Sequence, residues 1–274
     1  MLLATVMNYD TPAGVAMCKG WILLATRFNP KADIVIFHHD KIREVMEFGK
    51  KFQKVSFEKI DLGRIRPHTE FRGVAPASQD MTIGAWKRAE EIGLHHFIFA
   101  EADAWILSDL SDWWEISREK PYIPVREQRN YHGGDFFNSG TYSYHSRDGF
   151  ITYGRMMEQY EHDGNRIAIN FGDQGLLNAY CRRIGYDWAH PKIGEEFNAW
   201  ARNCRVVRAD DHEIDVRIGE RATPVDADED WIGVWTGWEK AGERARILHA
   251  FWRKKFWHLP ECAPLWHYVL SRVS

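Results

Sequence analysis

Cysteine is scarce: Cys18, Cys181, Cys204 and Cys262 are the four among 274 residues, and no two form a C-x-x-C pair. That spacing excludes a zinc knuckle and a disulfide framework, and predicts reduced thiols in a cytoplasmic protein. A basic surplus is also missing. The net charge is -3, whereas a general nucleic-acid binder is usually basic, so nucleic acid is not an expected partner. Long apolar runs are absent: no stretch approaches the roughly 18 residues of a spanning helix. The opening run Met1–Met7 is too short for a signal peptide and has no basic leader. No repeat, low-complexity segment or convincing linker divides the chain, which predicts one domain over residues 1–274.

What is abundant is tryptophan, 13 residues, most of them after residue 100. Tryptophan buries a large area and offers flat faces to sugar rings, and core filling is the simpler role for any single one.

The first half alternates strands and helices. Residues 2–7 read as a buried strand. Thr11-Pro12 then supplies an N-cap and a first-turn proline. Val15, Cys18, Trp21, Ile22, Ala25 and Phe28 recur near a 3.6-residue period, and Asn29-Pro30 ends that helix. Strands are predicted at 34–37, 55–60 and up to 101, and helices at 41–52 and 79–92, with a loop over 61–77. Such alternation predicts an α/β fold with a mostly parallel central sheet covered by helices on both faces. The second half is less regular, with a strand at 136–144, helices at 149–162 and 173–184, and short strands and loops over 204–232. The aromatic, partly basic tail 251–273 predicts a C-terminal helix packed on the body. Peripheral contact with an anionic membrane surface is its alternative.

The strand at His96–Ala100 runs into Glu101-Ala102-Asp103. On an extended strand, side chains at i and i+2 share a face, so the two carboxylates are predicted side by side. Adjacent carboxylates repel unless a cation neutralises them, and a hard divalent ion such as Mg²⁺ or Mn²⁺ takes oxygen ligands of this kind. A solvated strand end is the competing reading. Ligands of open α/β sheets bind beyond the carboxyl ends of strands, where this pair lies. Two histidine pairs, His38-His39 and His95-His96, make poor metal sets, because neighbours on a strand face opposite sides.

Further segments follow in order: Asp109-Leu110, Phe137-Asn138-Ser139-Gly140, Asp173-Gln174-Gly175-Leu176-Leu177-Asn178, and His249 followed by Lys255-Phe256-Trp257. Singly each has a plain structural explanation: a turn at Asn138 and Gly140, an N-cap at Asp173, a structural His249. As an ordered set, from about residue 2 to 257, they resemble glycosyltransferase family 8, the group of glycogenin and the lipooligosaccharide galactosyltransferases. That family's pattern runs D-x-D, D-L, F-N-x-G, D-Q-x-x-L-N, H-x-x-G-x-x-K-P-W.

The resemblance implies a GT-A fold and a nucleotide-sugar donor, usually a UDP-sugar. It implies Mn²⁺ (or Mg²⁺) as cofactor, and transfer of a hexose to a glycan or glycolipid hydroxyl with retention. On it, residues 1–115 form a nucleotide-binding half and 116–274 a donor-sugar and acceptor half. Glu101, Asp103 and His249 take the metal-ligand places. Asn8, Tyr9, Asn138, Ser139 and Lys255 take donor-binding places, Lys255 at the phosphates. Gln174 takes the position on the face of the sugar, and Asp173 is the one carboxylate candidate for a nucleophile.

Three residues depart from the pattern: Glu101 for the first Asp, Trp252 for the Gly and Phe256 for the Pro. They motivate the alternative of a catalytically altered sugar- or nucleotide-binding module.

Overall fold

The computed structural model describes residues 1–39, 42–61, 77–126, 137–146, 152, 154–155, 158–159, 165–221, 235–236, 243–250 and 255–274, with backbone alone at 77–80, 165–173, 202, 220–221 and 235–236. The first half contains β1 (Leu2–Met7), α1 (Pro12–Phe28), β2 (Asp33–His38), α2 (Arg43–Gly49), β3 (Val55–Lys59), α3 (Ala77–Glu91), β4 (His96–Ala100), β5 (Ala104–Ile106) and α4 (Ser111–Ile116). The second half contains β6 (Tyr122–Arg126), β7 (Phe137–His145), α5 (Asn165–Arg183), β8 (Ala199–Trp200), β9 (Cys204–Ala209), β10 (Ile214–Ile218), β11 (Glu220–Arg221), β12 (Trp235–Thr236), β13 (Ile247–His249) and α6 (Ala263–Val273).

The main sheet runs β3-β2-β1-β4-β7-β6. Its first four strands are parallel, and β7 and β6 add antiparallel. Successive side chains on a strand face opposite ways, and that alternation sorts the core into two layers. Leu3, Ile34, Ile36 and Ile98 meet α1 and α2 on one face. Ala4, Val35, Phe37, Phe97 and Phe99 meet α3 and α5 on the other. Helices therefore cover both faces, as the alternating sequence predicts.

A second sheet, β5-β13-β8, sits beyond the carboxyl end of β4. Strand β5 follows β4 by one tight turn and pairs antiparallel with β13, so the chain's later part returns to the end of β4. The β5 residue Trp105 is fully buried and stacks on Phe256 at 4.0 Å and Trp266 at 5.9 Å. A Cβ on Gly20 of α1 would lie 2.7 Å from Val269 and 2.8 Å from Trp105, so this glycine lets α1 and α6 close around the indole. Helix α6 turns Leu265, Trp266, Val269 and Val273 inward, so the apolar side of the tail is used in packing on the body. No helix among the described residues is long and apolar enough to cross a membrane.

Several boundaries differ from the sequence reading. Thr11 caps α1 as expected, its Oγ1 accepting from Gly14 N–H at 3.2 Å. Helix α5 begins at Asn165, eight residues before the predicted start, so Asp173 is a helix-interior residue and not an N-cap. The interior Gly172 costs the helix only about 1 kcal/mol. Burial of Leu176, Leu177, Tyr180 and Cys181 against the sheet outweighs it. The predicted loop at 61–77 and helix at 149–162 fall largely outside the described residues.

Candidate functional site

Strand β4 ends at Ala100, one residue before the acidic pair. Glu101-Ala102-Asp103 is a turn, closed by Ala104 N–H donating to the Glu101 carbonyl at 2.8 Å. The two carboxylates are brought together by this turn and not by the pleat of an extended strand. The apolar Ala102 is buried inside it, which fixes the side chains on either side.

His249, at the end of β13, is held against the turn by the β13–β5 pairing, His249 opposite Ala104. The next residue completes the clamp, with Ala250 N–H donating to the Asp103 carbonyl at 2.8 Å. His249 Nε2 lies 3.3 Å from Glu101 Oε2 and 3.6 Å from Asp103 Oδ1. One ligand atom from each of the three residues lies within 4.8 Å of the others. Two carboxylates and an imidazole are the donor set of a divalent cation such as Mn²⁺ or Mg²⁺. Asp103 and His249 are buried and Glu101 is partly open, which leaves the cluster a face toward solvent.

The cluster's electrostatics follow from that burial. Burial by itself raises the pKa of Asp103. The ammonium of Lys255 and the ring of His249 outweigh it and hold the carboxyl well below the usual range. Burial would likewise lower the His249 pKa, but hydrogen bonds and charge from Asp103 and Glu101 prevail and raise it to about 9. Lys255 Nζ donates to Asp103 Oδ2 and, at 3.2 Å, to the Ala250 carbonyl. Lys255 opens the 3₁₀ turn at Phe256–His258, and the fully buried Phe256 anchors that turn on Trp105. The departure at Phe256 is thus a core residue that holds Lys255 over the carboxylates. Trp252 lies outside the described residues.

Strand β7 forms the floor. Its pairing with β6 jumps between Pro124↔Tyr142 and Val125↔Asn138, so Ser139–Thr141 have no register partner on β6. The bulge sits at the site, and Pro124 has no N–H to pair there. Asn138 and Gly140 therefore lie in a bulged strand, not a turn. Gly140 accepts from Glu101 N–H at 2.8 Å, and its own N–H donates to Asn138 Oδ1 at 2.7 Å. A Cβ at Gly140 would fall 2.6 Å from His249 Cε1, 2.8 Å from Asn138 Oδ1 and 3.0 Å from Glu101 Oε2. Only a glycine lets the strand approach all three.

Gln174 reaches the same bulge, its Oε1 accepting from Ser139 N–H at 3.3 Å. Four residues on, Asn178 takes both backbone groups of Phe137: its Oδ1 accepts from the N–H at 3.0 Å and its Nδ2 donates to the carbonyl at 2.9 Å. This clamp ties α5 to β7 and sets the height of Gln174 over the bulge. Asp173 precedes Gln174 on α5, and its side chain lies outside the described residues.

Strands β1 and β4 are parallel neighbours, so their carboxyl ends lie together. Tyr9, just after β1, is partly buried, and its hydroxyl pKa is pushed well above the ordinary value by burial and by the charges of Asp103, Cys18 and Glu101. Asn8 beside it is exposed. Two asparagines carry roles that the sequence reading leaves unassigned: Asn178, quoted only as the end of the D-Q-x-x-L-N segment, and Asn198. The first is spaced one helical turn from Gln174, a signal that was available. The second, which accepts a hydrogen bond from His249 Nδ1 at 2.8 Å, carries no sequence signal at all.

The sheet order and covering helices are those of the GT-A fold found in glycosyltransferases. No family model and no curated protein matches the sequence. Solved structures match across the whole chain at low identity. GlyE, a glycosyltransferase of Streptococcus pneumoniae TIGR4, has a TM-score of 0.60 at 14% identity, covering 98% of this chain and 60% of GlyE. The galactosyltransferase LgtC, solved with donor and acceptor sugar analogues, has a TM-score of 0.60 at 12% identity, covering 100% of this chain and 95% of LgtC. WbbM, a bifunctional glycosyltransferase, has a TM-score of 0.55 at 10% identity, and this chain spans 49% of its length.

Proposed function

We propose that this protein is a retaining glycosyltransferase of the family 8 type. It moves a hexose from a nucleotide-sugar, a UDP-sugar by the family pattern, to a hydroxyl of a glycan or glycolipid. One observation carries the reading: Glu101, Asp103 and His249 converge beyond the carboxyl end of β4, with Lys255 beside them. The donor set fits a divalent cation, Mn²⁺ or Mg²⁺. Gly140, where a Cβ would intrude on two of the three residues, preserves the space. Bound there, the cation would neutralise charge on the donor's diphosphate as it leaves.

The chain's own groups divide the remaining work. Lys255, whose ammonium reaches into the cluster, pairs with the leaving phosphate oxygens and stabilises their charge electrostatically. Tyr9 and Asn8, at the neighbouring strand end, receive the nucleoside. Asn138 and Ser139, on the bulge of β7, hold the sugar, and Gln174 faces the anomeric carbon as it gains oxocarbenium character. Asp173 is the carboxylate proposed for the nucleophilic role. Residues 1–115 form the nucleotide half and 116–274 the sugar and acceptor half of one catalytic unit.

A nucleotide-sugar panel with Mn²⁺, reading released nucleotide, tests this reading. Slow hydrolysis of one donor, abolished by a chelator, is expected. Calorimetry showing no UDP binding with Mn²⁺ present overturns it. UDP binding without hydrolysis or transfer across donors and acceptors makes the protein a binding module instead.

A further inference from the structure

A metal-binding histidine needs one ring nitrogen free of its proton, and the hydrogen bond at the other nitrogen decides which one. His249 is buried to within 1% of full enclosure, so neighbouring protein groups set that choice. Its Nε2 faces the two carboxylates, and its Nδ1 faces Asn198 Oδ1 at 2.8 Å. A carbonyl oxygen can only accept, so Nδ1 carries the proton in this bond.

Asn198 is itself wholly buried and held from both sides. It ends the 3₁₀ turn Glu195–Asn198 and leads into β8, whose Trp200 pairs with His249. Phe197, one residue earlier, packs on Trp113 at 4.8 Å and beneath the Arg246 guanidinium at 4.4 Å. The Arg246 N–H donates to the Glu196 carbonyl at 2.7 Å. Packing thus fixes the backbone that carries Asn198 beside the imidazole.

We propose that Asn198 is a positioning residue, which holds the His249 ring as its Nδ1–H tautomer and turns Nε2 to the carboxylates as a cation ligand. The cation ligand rests on the metal reading above, whereas the Nδ1–H hydrogen bond to Asn198 does not.

The test compares Asn198→Asp, which keeps an acceptor, with Asn198→Leu, which removes it at similar size. Asn198→Ala replaces the latter where thermal melting shows that Leu prevents folding. Two readouts are taken: the imidazole Nδ1–H resonance in ¹⁵N–¹H spectra of metal-free protein at neutral pH, and Mn²⁺ affinity by electron paramagnetic resonance. Wild type and Asn198→Asp are expected to show a slowly exchanging, hydrogen-bonded Nδ1–H and Mn²⁺ affinities within a few-fold. Asn198→Leu is expected to lose that resonance to solvent exchange or shift it upfield, with affinity about 10- to 100-fold weaker. An unchanged Nδ1–H resonance in Asn198→Leu, or equal losses of affinity in the Asp and Leu variants, overturns the role. Wild type that binds no Mn²⁺ overturns the metal reading alone, and the spectra then still decide on Asn198.

Discussion

Lys255 donates a hydrogen bond to Asp103 Oδ2, while the other oxygen of that carboxylate lies 3.6 Å from His249 Nε2. One ammonium thus sits beside the carboxylates that the proposed cation needs. Lys255→Ala is expected to strengthen Mn²⁺ binding in the absence of nucleotide, because a competing positive charge is gone. The gain is about tenfold, about 1.4 kcal/mol. Turnover should fall about 10²- to 10³-fold, as when one electrostatic donor to a transition state is lost. Paramagnetic titration and released-nucleotide assays check both. Unchanged turnover refutes the phosphate role.

Gly140→Ala places a methyl where His249, Asn138 and Glu101 already lie within 3.0 Å. The strand must shift or the imidazole must turn. Overpacking of this kind costs about 1–3 kcal/mol, read in a denaturant melt. Mn²⁺ affinity should drop by at least about tenfold, since ligand geometry moves with the ring. Full affinity in the variant argues that the cluster tolerates that shift and is not a tuned ligand set.

Metal uptake should release a proton. In the metal-free protein His249 is protonated below about pH 9, because its folded pKa is raised. A cation at Nε2 competes with that proton, so apparent affinity rises with pH, about tenfold per unit through neutrality, and flattens above the ring's pKa. Calorimetry of Mn²⁺ binding in two buffers of different ionisation enthalpy measures the proton count. No proton released at neutral pH removes His249 from the ligand set.

Phe256 is fully buried and stacked on Trp105. Phe256→Ala should cost about 3–5 kcal/mol, and Phe256→Leu less, since it refills most of the volume. Chemical denaturation checks the order. Phe256→Ala should also weaken donor binding, because the turn that presents Lys255 loses its anchor. A stability loss under about 1 kcal/mol would show that the turn is held elsewhere.

The alternation of strands and helices was legible because local patterns encode it. Thr11-Pro12 opens α1 through a cap and a fixed φ, with no help from the rest of the chain. The apolar runs at Leu3, Ile34 and Phe97 read as strands buried on both faces, and they are. The acidic pair was legible as a site but not as a shape. Its turn depends on β13 returning from residue 247 to pair with β5, a contact that a local pattern does not record. The start of α5 differs for the same reason, since Asp173 looks locally like an N-cap whereas the helix runs from Asn165 and packs on the sheet.

The sequence by itself therefore determined the α/β order, the cap of α1 and the residue types that can hold a cation and a diphosphate. Only the tertiary structure decided that Glu101, Asp103 and His249 meet, that Gly140 leaves room for them, and that Asn198 stands behind the imidazole. The physical reason is range. Propensity and periodicity act within one or two turns of chain, whereas these contacts join residues separated by up to 148 positions, Glu101 and His249, through sheet pairing and buried hydrogen bonds.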